Sequence, residues 1–216
     1  MQVRVCRGAE AAGGPMAERR TRGTSGSDPS RTTAARATAI AEQLHHESCI
    51  LLELYRKKEK LTVGELVADR RLVSVPPPSS QLDTGDTLWR LHSALLQCRS
   101  LLERAIAKEE QELGGGKKGD YETMRKMVKD RLSLLLINTE LLRAVDGAAV
   151  LTPNLDELEL ESPSSLFELK LWIYRIFKEV EHWSKTAITT LQGLPSVMDK
   201  ERARGARLRS MRSARR

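Results

Sequence analysis

The sequence predicts an all-α protein, a long-chain four-helix bundle, on three observations. Leu, Ala, Glu, Lys and Arg dominate the 216 residues while only 4% are aromatic, a composition typical of long helices rather than of sheets. Apolar residues recur at steps of three and four in four separate segments. The connections between these segments are long, short and long. A chain of this length has room for one domain with a sizeable core.

Two helices are predicted in the first half of the chain, over 33–60 and 86–113. Between them, Gly64 and the run from Pro76 to Pro78 cannot sustain a helix, so 61–84 is predicted to be a long connection. The core residues expected in these two helices are Ala37, Ile40, Ala41, Leu44, Leu51, Tyr55, Leu88, Leu91, Leu95, Cys98, Leu102 and Ala105.

Two more helices are predicted in the second half. The glycine-rich stretch 114–119 ends the second helix, and Asp120 is the predicted N-cap of a third, which runs to Val145. After a second long connection over 148–163, Ser165 and Glu168 have the spacing of a capping box that opens the fourth helix. The expected core residues are Tyr121, Met124, Val128, Leu132, Leu135, Leu142, Val145, Leu169, Ile173, Ile176, Val180, Trp183, Ala187 and Leu191.

The lengths of the connections predict the topology. A helix of about 28 residues is roughly 40 Å long, whereas the linker 114–119 reaches only about 20 Å, so the second and third helices must be antiparallel. The other two connections, at about 24 and 16 residues, can reach about 80 and 53 Å and can therefore run the length of the bundle. The prediction is an up-up-down-down bundle with two long crossover loops, an arrangement found among growth hormones and cytokines.

The two ends of the chain differ in composition from the helical part, which we place at 33–194. Residues 1–32 are rich in Gly, Ser, Arg and Thr and predict a flexible leader, within which Met16 is an alternative start to Met1. Residues 195–216 predict a basic, disordered tail, and within it the segment 200–216 carries Lys200 and seven arginines against Glu201 alone. The segment 200–216 therefore has a charge of +7, equal to the net charge of the whole chain, and the rest of the chain is formally neutral. A phosphate-binding groove on the helical part is not indicated.

No motif in the chain indicates catalysis, a cofactor or a metal. Gly114 and Gly119 have the spacing of a phosphate-binding loop but lack the Lys and Ser or Thr that would follow. His46 and Glu47 begin like a zinc-protease helix, but Ile50 stands where the second His is needed. The sequence therefore predicts that the protein is not an enzyme.

The histidines and cysteines are likewise predicted to be structural or solvent-exposed residues. His45, His46, His92 and His182 are expected on helix surfaces, with no Cys or carboxylate pair at metal-binding spacing beside them. Cys6, Cys49 and Cys98 are an odd number without short paired spacing, which predicts neither a disulfide framework nor a zinc site. Cys49 and Cys98 are expected to be buried thiols.

The sequence shows no targeting signal, which predicts a protein that is cytoplasmic as synthesised. The first 24 residues contain no apolar run of the length that a signal peptide needs. No run approaches the roughly 18 apolar residues of a membrane span, and neither Asn138 nor Asn154 begins a glycosylation sequon.

The segment from Leu166 to Trp183 resembles the start and middle of the fourth helix of the ciliary neurotrophic factor and leukaemia inhibitory factor group of four-helix cytokines. The segment 54–61 is similar to the Tyr-x-Lys close of the first helix in that group, and 95–99 is a looser match in the second. The resemblance covers about 33–194. Its one specific motif is Phe-x-x-Lys, here Phe167 and Lys170.

In this group the Phe and Lys contact the leukaemia inhibitory factor receptor, so the resemblance implies that Phe167 is a hydrophobic anchor and Lys170 a polar contact. With Leu169 at zero on a helical wheel, Phe167, Lys170 and Tyr174 fall near 160°, 100° and 140°, away from a core stripe that clusters within about 40°. Tyr174 is therefore included in the predicted receptor-binding set. The alternative is that Phe167 packs as an ordinary staple under the crossover loops.

The resemblance also implies partners and a way of acting. It implies a second surface on the first and third helices for the shared signalling receptor, and a third near the end of the fourth helix for a ciliary neurotrophic factor type specificity receptor. Ile173, where the group often has Gly, and the Arg-rich extension depart from the pattern and leave that specificity receptor open. The implied function is a neurotrophic growth factor that promotes survival and differentiation of neural cells after unconventional release.

Two other classes of protein stay open as alternatives. An intracellular helical adaptor or a nucleic-acid-binding protein could use the tail over 204–216, which could also give a weak heparin contact. An enzyme with a metal in the core of the bundle would need inward Glu and Glu-x-x-His sets, which the sequence lacks.

Overall fold

A computed structural model describes residues 29–61, 71–79, 81–112, 119–145 and 165–213, with side chains described for 32–194 within these ranges except 145. It contains four helices: α1 (Pro29–Glu59), α2 (Thr84–Glu112), α3 (Asp120–Val145) and α4 (Leu166–Ser213). The described residues include no strand. The predicted all-α class and the predicted set of four helices are confirmed. Most of the predicted leader, most of the glycine-rich linker and the second connection lie outside the described residues.

The starts of α3 and α4 follow from short-range capping. The hydroxyl of Ser165 accepts a hydrogen bond from the Glu168 N–H at 3.2 Å, so the predicted cap of α4 is confirmed. At α3 the residue before the helix is Gly119, whose N–H donates to the Glu122 carboxylate at 3.1 Å. Asp120, the predicted N-cap, is instead the first residue of the helix.

The helix α4 is longer than the sequence analysis expected. Its 48 residues continue to Ser213, through a segment placed in the basic tail. Lys, Glu, Arg, Ala, Leu and Met are strong helix formers and make up most of 198–213. The high charge of this segment led to the prediction of disorder, whereas the intrinsic helix propensity of its residues favours a helix.

The predicted core stripes coincide with the buried residues of the bundle. Every core residue predicted in α1, α2 and α4 is buried, and so are those of α3, except that Met124 is half-buried and the side chain of Val145 is not described. At about 1.5–3 kcal/mol for each large apolar side chain, this burial is the main stabilising term. The described helices therefore pack as a four-helix bundle.

The helices pack in a specific set of pairs. Both α1 and α2 pack against α3 and α4. Near the end of α1, the Lys58 ammonium lies 2.9 Å from Glu109 on α2 and 3.3 Å from Glu122 on α3. The hydroxyl of Tyr55 donates to the carbonyl of Lys170 on α4 at 3.3 Å. The last turns of α1 and α2 and the first turns of α3 and α4 thus meet at one end of the bundle.

Candidate functional site

The first turn of α4 presents two apolar side chains to solvent. Phe167 is 48% exposed and Leu166 is 56% exposed, although both are large hydrophobic residues. The Ser165 cap fixes where the helix begins and therefore where this turn points. The outward orientation predicted for Phe167 is confirmed.

Lys170, one turn further along α4, is tied to the end of α1. Its ammonium lies 2.8 Å from the carboxylate of Glu59, and the side chains are 31% and 9% exposed respectively. Its backbone carbonyl accepts the hydrogen bond from Tyr55, which is fully buried. Lys170 is thus held in place by α1, with its charge already paired within the chain.

Tyr174 does not share the outer surface with Phe167, so this part of the prediction is wrong. Tyr174 is 7% exposed and belongs to the core. Burial raises the pKa of its hydroxyl; Arg56 on α1 lowers this pKa, and Glu53 and Glu181 raise it further. The helical-wheel prediction assumed that α4 has one buried direction. This helix packs against both α1 and α2, so a wider arc of its surface is buried.

The helix α3 has a second exposed apolar surface, which the sequence analysis missed. Its members are between 40% and 59% exposed, and we call them the α3 stripe: Met127, Leu134, Ile137 and Leu141. On a wheel of about 100° per residue they fall within about 80°. The seven-residue spacing of Met127, Leu134 and Leu141 was a signal that could have revealed it.

The α3 stripe lies toward the α1 side of the bundle. Arg131, about 40° from Met127 on the wheel, donates from Nε and an NH2 group to the two carboxylate oxygens of Glu47 on α1, at 3.3 and 2.8 Å. This two-point ion pair fixes the helices relative to each other. A partner that covers the stripe would therefore also approach the outer face of α1.

Polar groups around the buried carboxylate of Glu109 hold together the end of the bundle where α4 begins. We call this the polar end and define it by Tyr55, Lys58, Glu109, Tyr121 and Arg125. The buried Glu109 carboxylate accepts hydrogen bonds from Lys58 at 2.9 Å, from Tyr121 at 2.7 Å and from Arg125 at 2.5 Å. Burial raises the pKa of the Tyr121 hydroxyl, and Glu109 raises it further, so Tyr121 stays a neutral donor.

Ring packing continues this network toward α4. The Tyr55 ring meets Phe177 edge-on, with centroids 5.2 Å apart, and lies 5.6 Å from Tyr121. Tyr55 also reaches the backbone of Lys170. The first turns of α4 are therefore supported by a packed and hydrogen-bonded base.

Two predictions about histidine and cysteine surroundings are wrong. His92 is buried, with Nδ1 2.8 Å from the Thr139 hydroxyl. Cys98 is buried as predicted, but Cys49 is exposed and lies one helical turn from His45. Together with Glu181 of α4, His45 and Cys49 form a group of metal-ligand type whose ligand atoms all lie within 4.8 Å of one another.

The His-x-x-x-Cys spacing was visible in the sequence, but the contribution of α4 was not. Glu181 is 136 residues away from His45, and only the packing of α4 on α1 brings the two together. No other group of three such residues occurs in the part of the chain that the structure describes.

Comparison with known proteins gives no family assignment. No protein-family model matches the chain, and no curated protein does so either. Among the described helices, none is long and apolar enough to cross a membrane. Function must therefore be argued from the site itself.

Proposed function

We propose that the protein is a cytokine, a neurotrophic growth factor that brings together cell-surface receptor chains. The observation that carries this proposal is the exposed Phe167 on the first turn of α4, at the position where the resembling cytokines contact a receptor. A large ring left half-exposed on a well-packed bundle is how interface anchors are commonly presented.

The arrangement of the helices supports the same class. We propose an up-up-down-down bundle with two long crossovers, since α1 and α2 finish at the end where α3 and α4 begin. The helices joined by the long connections, α1 with α2 and α3 with α4, are not among the extensively packed pairs of the described residues. Diagonal placement of these pairs is expected when each crossover spans the bundle.

For the site at the start of α4 we propose the leukaemia inhibitory factor receptor as partner. Phe167 would insert as the apolar anchor, and Leu166 beside it would add to the buried apolar area. Lys170 would contact the receptor at the rim while still paired with Glu59. Tyr174 is left out because it is buried.

For the α3 stripe we propose the shared signalling receptor of the same cytokine group. The stripe is apolar, exposed and close to α1, in keeping with the second surface on the first and third helices that the resemblance implies. A ciliary neurotrophic factor type specificity receptor would complete the assembly. We also propose that the protein is synthesised in the cytoplasm and acts outside the cell after unconventional release.

The experiment that tests it is receptor phosphorylation in cells that carry these receptors, with wild type and Phe167→Ala. Loss of an interface anchor costs about 2–4 kcal/mol of binding, or roughly 30- to 1000-fold in affinity. We expect this loss with little change in thermal stability, because the ring is half-exposed.

The matched control is Ile176→Ala, a fully buried position on the same helix. It should lower the free energy of unfolding by about 2–5 kcal/mol while the folded fraction still binds. If Phe167→Ala destabilises the bundle as much as Ile176→Ala and leaves receptor binding of folded protein unchanged, Phe167 is structural. If wild type causes no receptor phosphorylation at all, the cytokine proposal itself is overturned.

A further inference from the structure

The group formed by His45, Cys49 and Glu181 has the chemistry of a zinc site. A neutral imidazole, a thiolate and a carboxylate are the three side-chain ligands that Zn²⁺ takes in proteins, usually in tetrahedral geometry. The His45 Nε2 lies 4.0 Å from the Cys49 Sγ. A tetrahedral Zn²⁺ with ordinary bond lengths requires a separation of about 3.6 Å between these atoms. A small rotation of either side chain is enough to close the difference.

The carboxylate of Glu181 is also within reach. One of its oxygens lies 3.9 Å from Nδ1 of His45, and the ligand atoms of the three residues all lie within 4.8 Å of one another. The side chains of Glu181 and His45 are 24% and 28% exposed. Neither side chain is locked by complete burial, so both can turn toward an ion that enters from solvent. Cys49 is exposed on the same side.

A second observation concerns groups other than the three ligand atoms: Nδ1 of the His45 ring already has partners. Nδ1 lies 3.3 Å from the backbone carbonyl of Glu181 and 3.3 Å from the Ser184 hydroxyl. That hydroxyl donates to the same Glu181 carbonyl at 2.7 Å, which leaves its oxygen free to accept from Nδ1–H. Metal-binding histidines usually donate their second N–H in this way, which leaves Nε2 as the coordinating atom.

We propose that His45, Cys49 and Glu181 bind Zn²⁺ and thereby link α1 to α4, with water in the fourth position. The ligand set selects Zn²⁺ over Mg²⁺ and Ca²⁺, which prefer all-oxygen sites. The site is distinct from Phe167 and from the α3 stripe, and it does not depend on the proposed cytokine function. Its direct consequence is a metal-dependent clip between the first and last helices.

Binding must displace a proton. Partial burial of the Cys49 sulfur raises the pKa of its thiol and Glu181 raises it further, while Lys178 and Lys185 lower it. The metal-free thiol is therefore protonated at neutral pH, and Zn²⁺ forms its bond to sulfur as the S–H proton leaves to solvent. Affinity should rise with pH, and titration in weak buffer should register the released proton.

The test is titration of the reduced full-length chain with Co²⁺, followed by displacement with Zn²⁺. We expect a thiolate-to-Co²⁺ charge-transfer band and the strong visible absorption of a tetrahedral ion, both removed by Zn²⁺. Zn²⁺ at 100 times its dissociation constant should raise the melting temperature by roughly 5–10 °C.

The variants separate this site from adventitious binding. Cys49→Ser should remove the charge-transfer band, His45→Asn and Glu181→Gln should weaken binding, and Ser184→Ala should weaken it by about 10- to 100-fold. The matched control is His46→Asn, which changes the exposed neighbour and should leave affinity unchanged.

Each position except Ser184 is partly or fully exposed, so metal-free variants should keep wild-type helix content. The proposal is overturned if the band persists in Cys49→Ser. It is equally overturned if His45→Asn binds as tightly as His46→Asn, or if wild type binds neither ion.

Discussion

The polar end and the α3 stripe break the ordinary pattern of a helical bundle in opposite ways. At the polar end, the charged Glu109 is buried, and three donors from α1 and α3 surround its carboxylate. Along the α3 stripe, apolar side chains such as Ile137 lie in solvent, at 59% exposure. The first departure is compensated inside the chain, since a buried charge is stable only when it is paired.

The second departure has no such compensation among the described residues. Apolar side chains stabilise a protein when they are removed from water, so a stripe of this kind contributes favourable free energy only when a partner covers it. The contrast favours a role for the polar end in the stability of the bundle, and it agrees with our proposal that the α3 stripe and Phe167 contact partners. Substitutions at the polar end should therefore affect unfolding, and substitutions at the two exposed sites should affect binding.

The sharpest way to break this contrast is Glu109→Ala. It would remove the acceptor of the buried Tyr121 hydroxyl and the buried carboxylate that pairs with Nη1 of Arg125, whose side chain is 12% exposed and would keep only the exposed Glu110. We expect a loss of about 3–5 kcal/mol in the free energy of unfolding, measured by urea denaturation.

The control for this variant is Glu110→Ala, because Glu110 pairs with the same Arg125 at 3.1 Å but is 55% exposed. Its removal should cost at most about 0.5 kcal/mol. Equal losses for Glu109→Ala and Glu110→Ala would mean that the three-donor network contributes nothing beyond a surface ion pair.

Two adjacent leucines of α3 sharpen the comparison further. Leu135 is fully buried, and Leu134, in the α3 stripe, is 42% exposed. We expect Leu135→Ala to lower the free energy of unfolding by about 2–5 kcal/mol, and Leu134→Ala to change it by no more than about 0.5 kcal/mol. Binding to the shared signalling receptor should respond in the reverse order. A large stability loss for Leu134→Ala would place the stripe in the core.

Lys170 lies between the polar end, which it contacts through Tyr55, and the exposed Phe167. A double substitution separates its structural role from its proposed role in receptor binding. Lys170→Ala leaves the largely buried carboxylate of Glu59 without its cation, which should cost about 1–2 kcal/mol of stability. Adding Glu59→Gln removes the unpaired charge and should restore most of that loss. If Lys170 contacts the receptor, the double variant should regain stability but not receptor binding. Recovery of both would mean that Lys170 acts only by holding α1 against α4.

The sequence predicts the bundle well because its main signal is periodic. Residues such as Leu44, Leu95 and Ile176 recur at helical spacing, and burial follows that spacing wherever a helix has a single inner face. Short capping patterns also survive, as Ser165 demonstrates. These signals are local and therefore readable from one chain.

The features that the sequence missed depend on which helices are neighbours. Tyr174 is buried because α4 meets two helices, and His45 gains Glu181 only through contact between the first and last helices. The α3 stripe was overlooked for a different reason. The helix α3 has apolar residues on two faces, and the core face gives the stronger periodic signal. Periodicity alone does not show that the second apolar face is exposed to solvent.

The smallest expected effect concerns the backbone at the end of α1, next to the polar end. Lys60 follows α1 with a φ of 54°, a left-handed conformation that favours glycine. The Leu61 N–H donates to the Arg56 carbonyl at 3.2 Å, which closes the helix in the manner of a Schellman motif. Lys60→Gly should therefore raise the free energy of unfolding by about 0.5–1 kcal/mol.

The control is Lys57→Gly, at an exposed position inside the last turn of α1. This variant should lower the free energy of unfolding by a similar amount, about 1 kcal/mol. Denaturant midpoints that shift in opposite directions for the two variants would confirm that Lys60 has a left-handed backbone conformation and ends α1. A loss of stability in both variants would show that the Lys60 side chain contributes more to stability than its backbone strain costs.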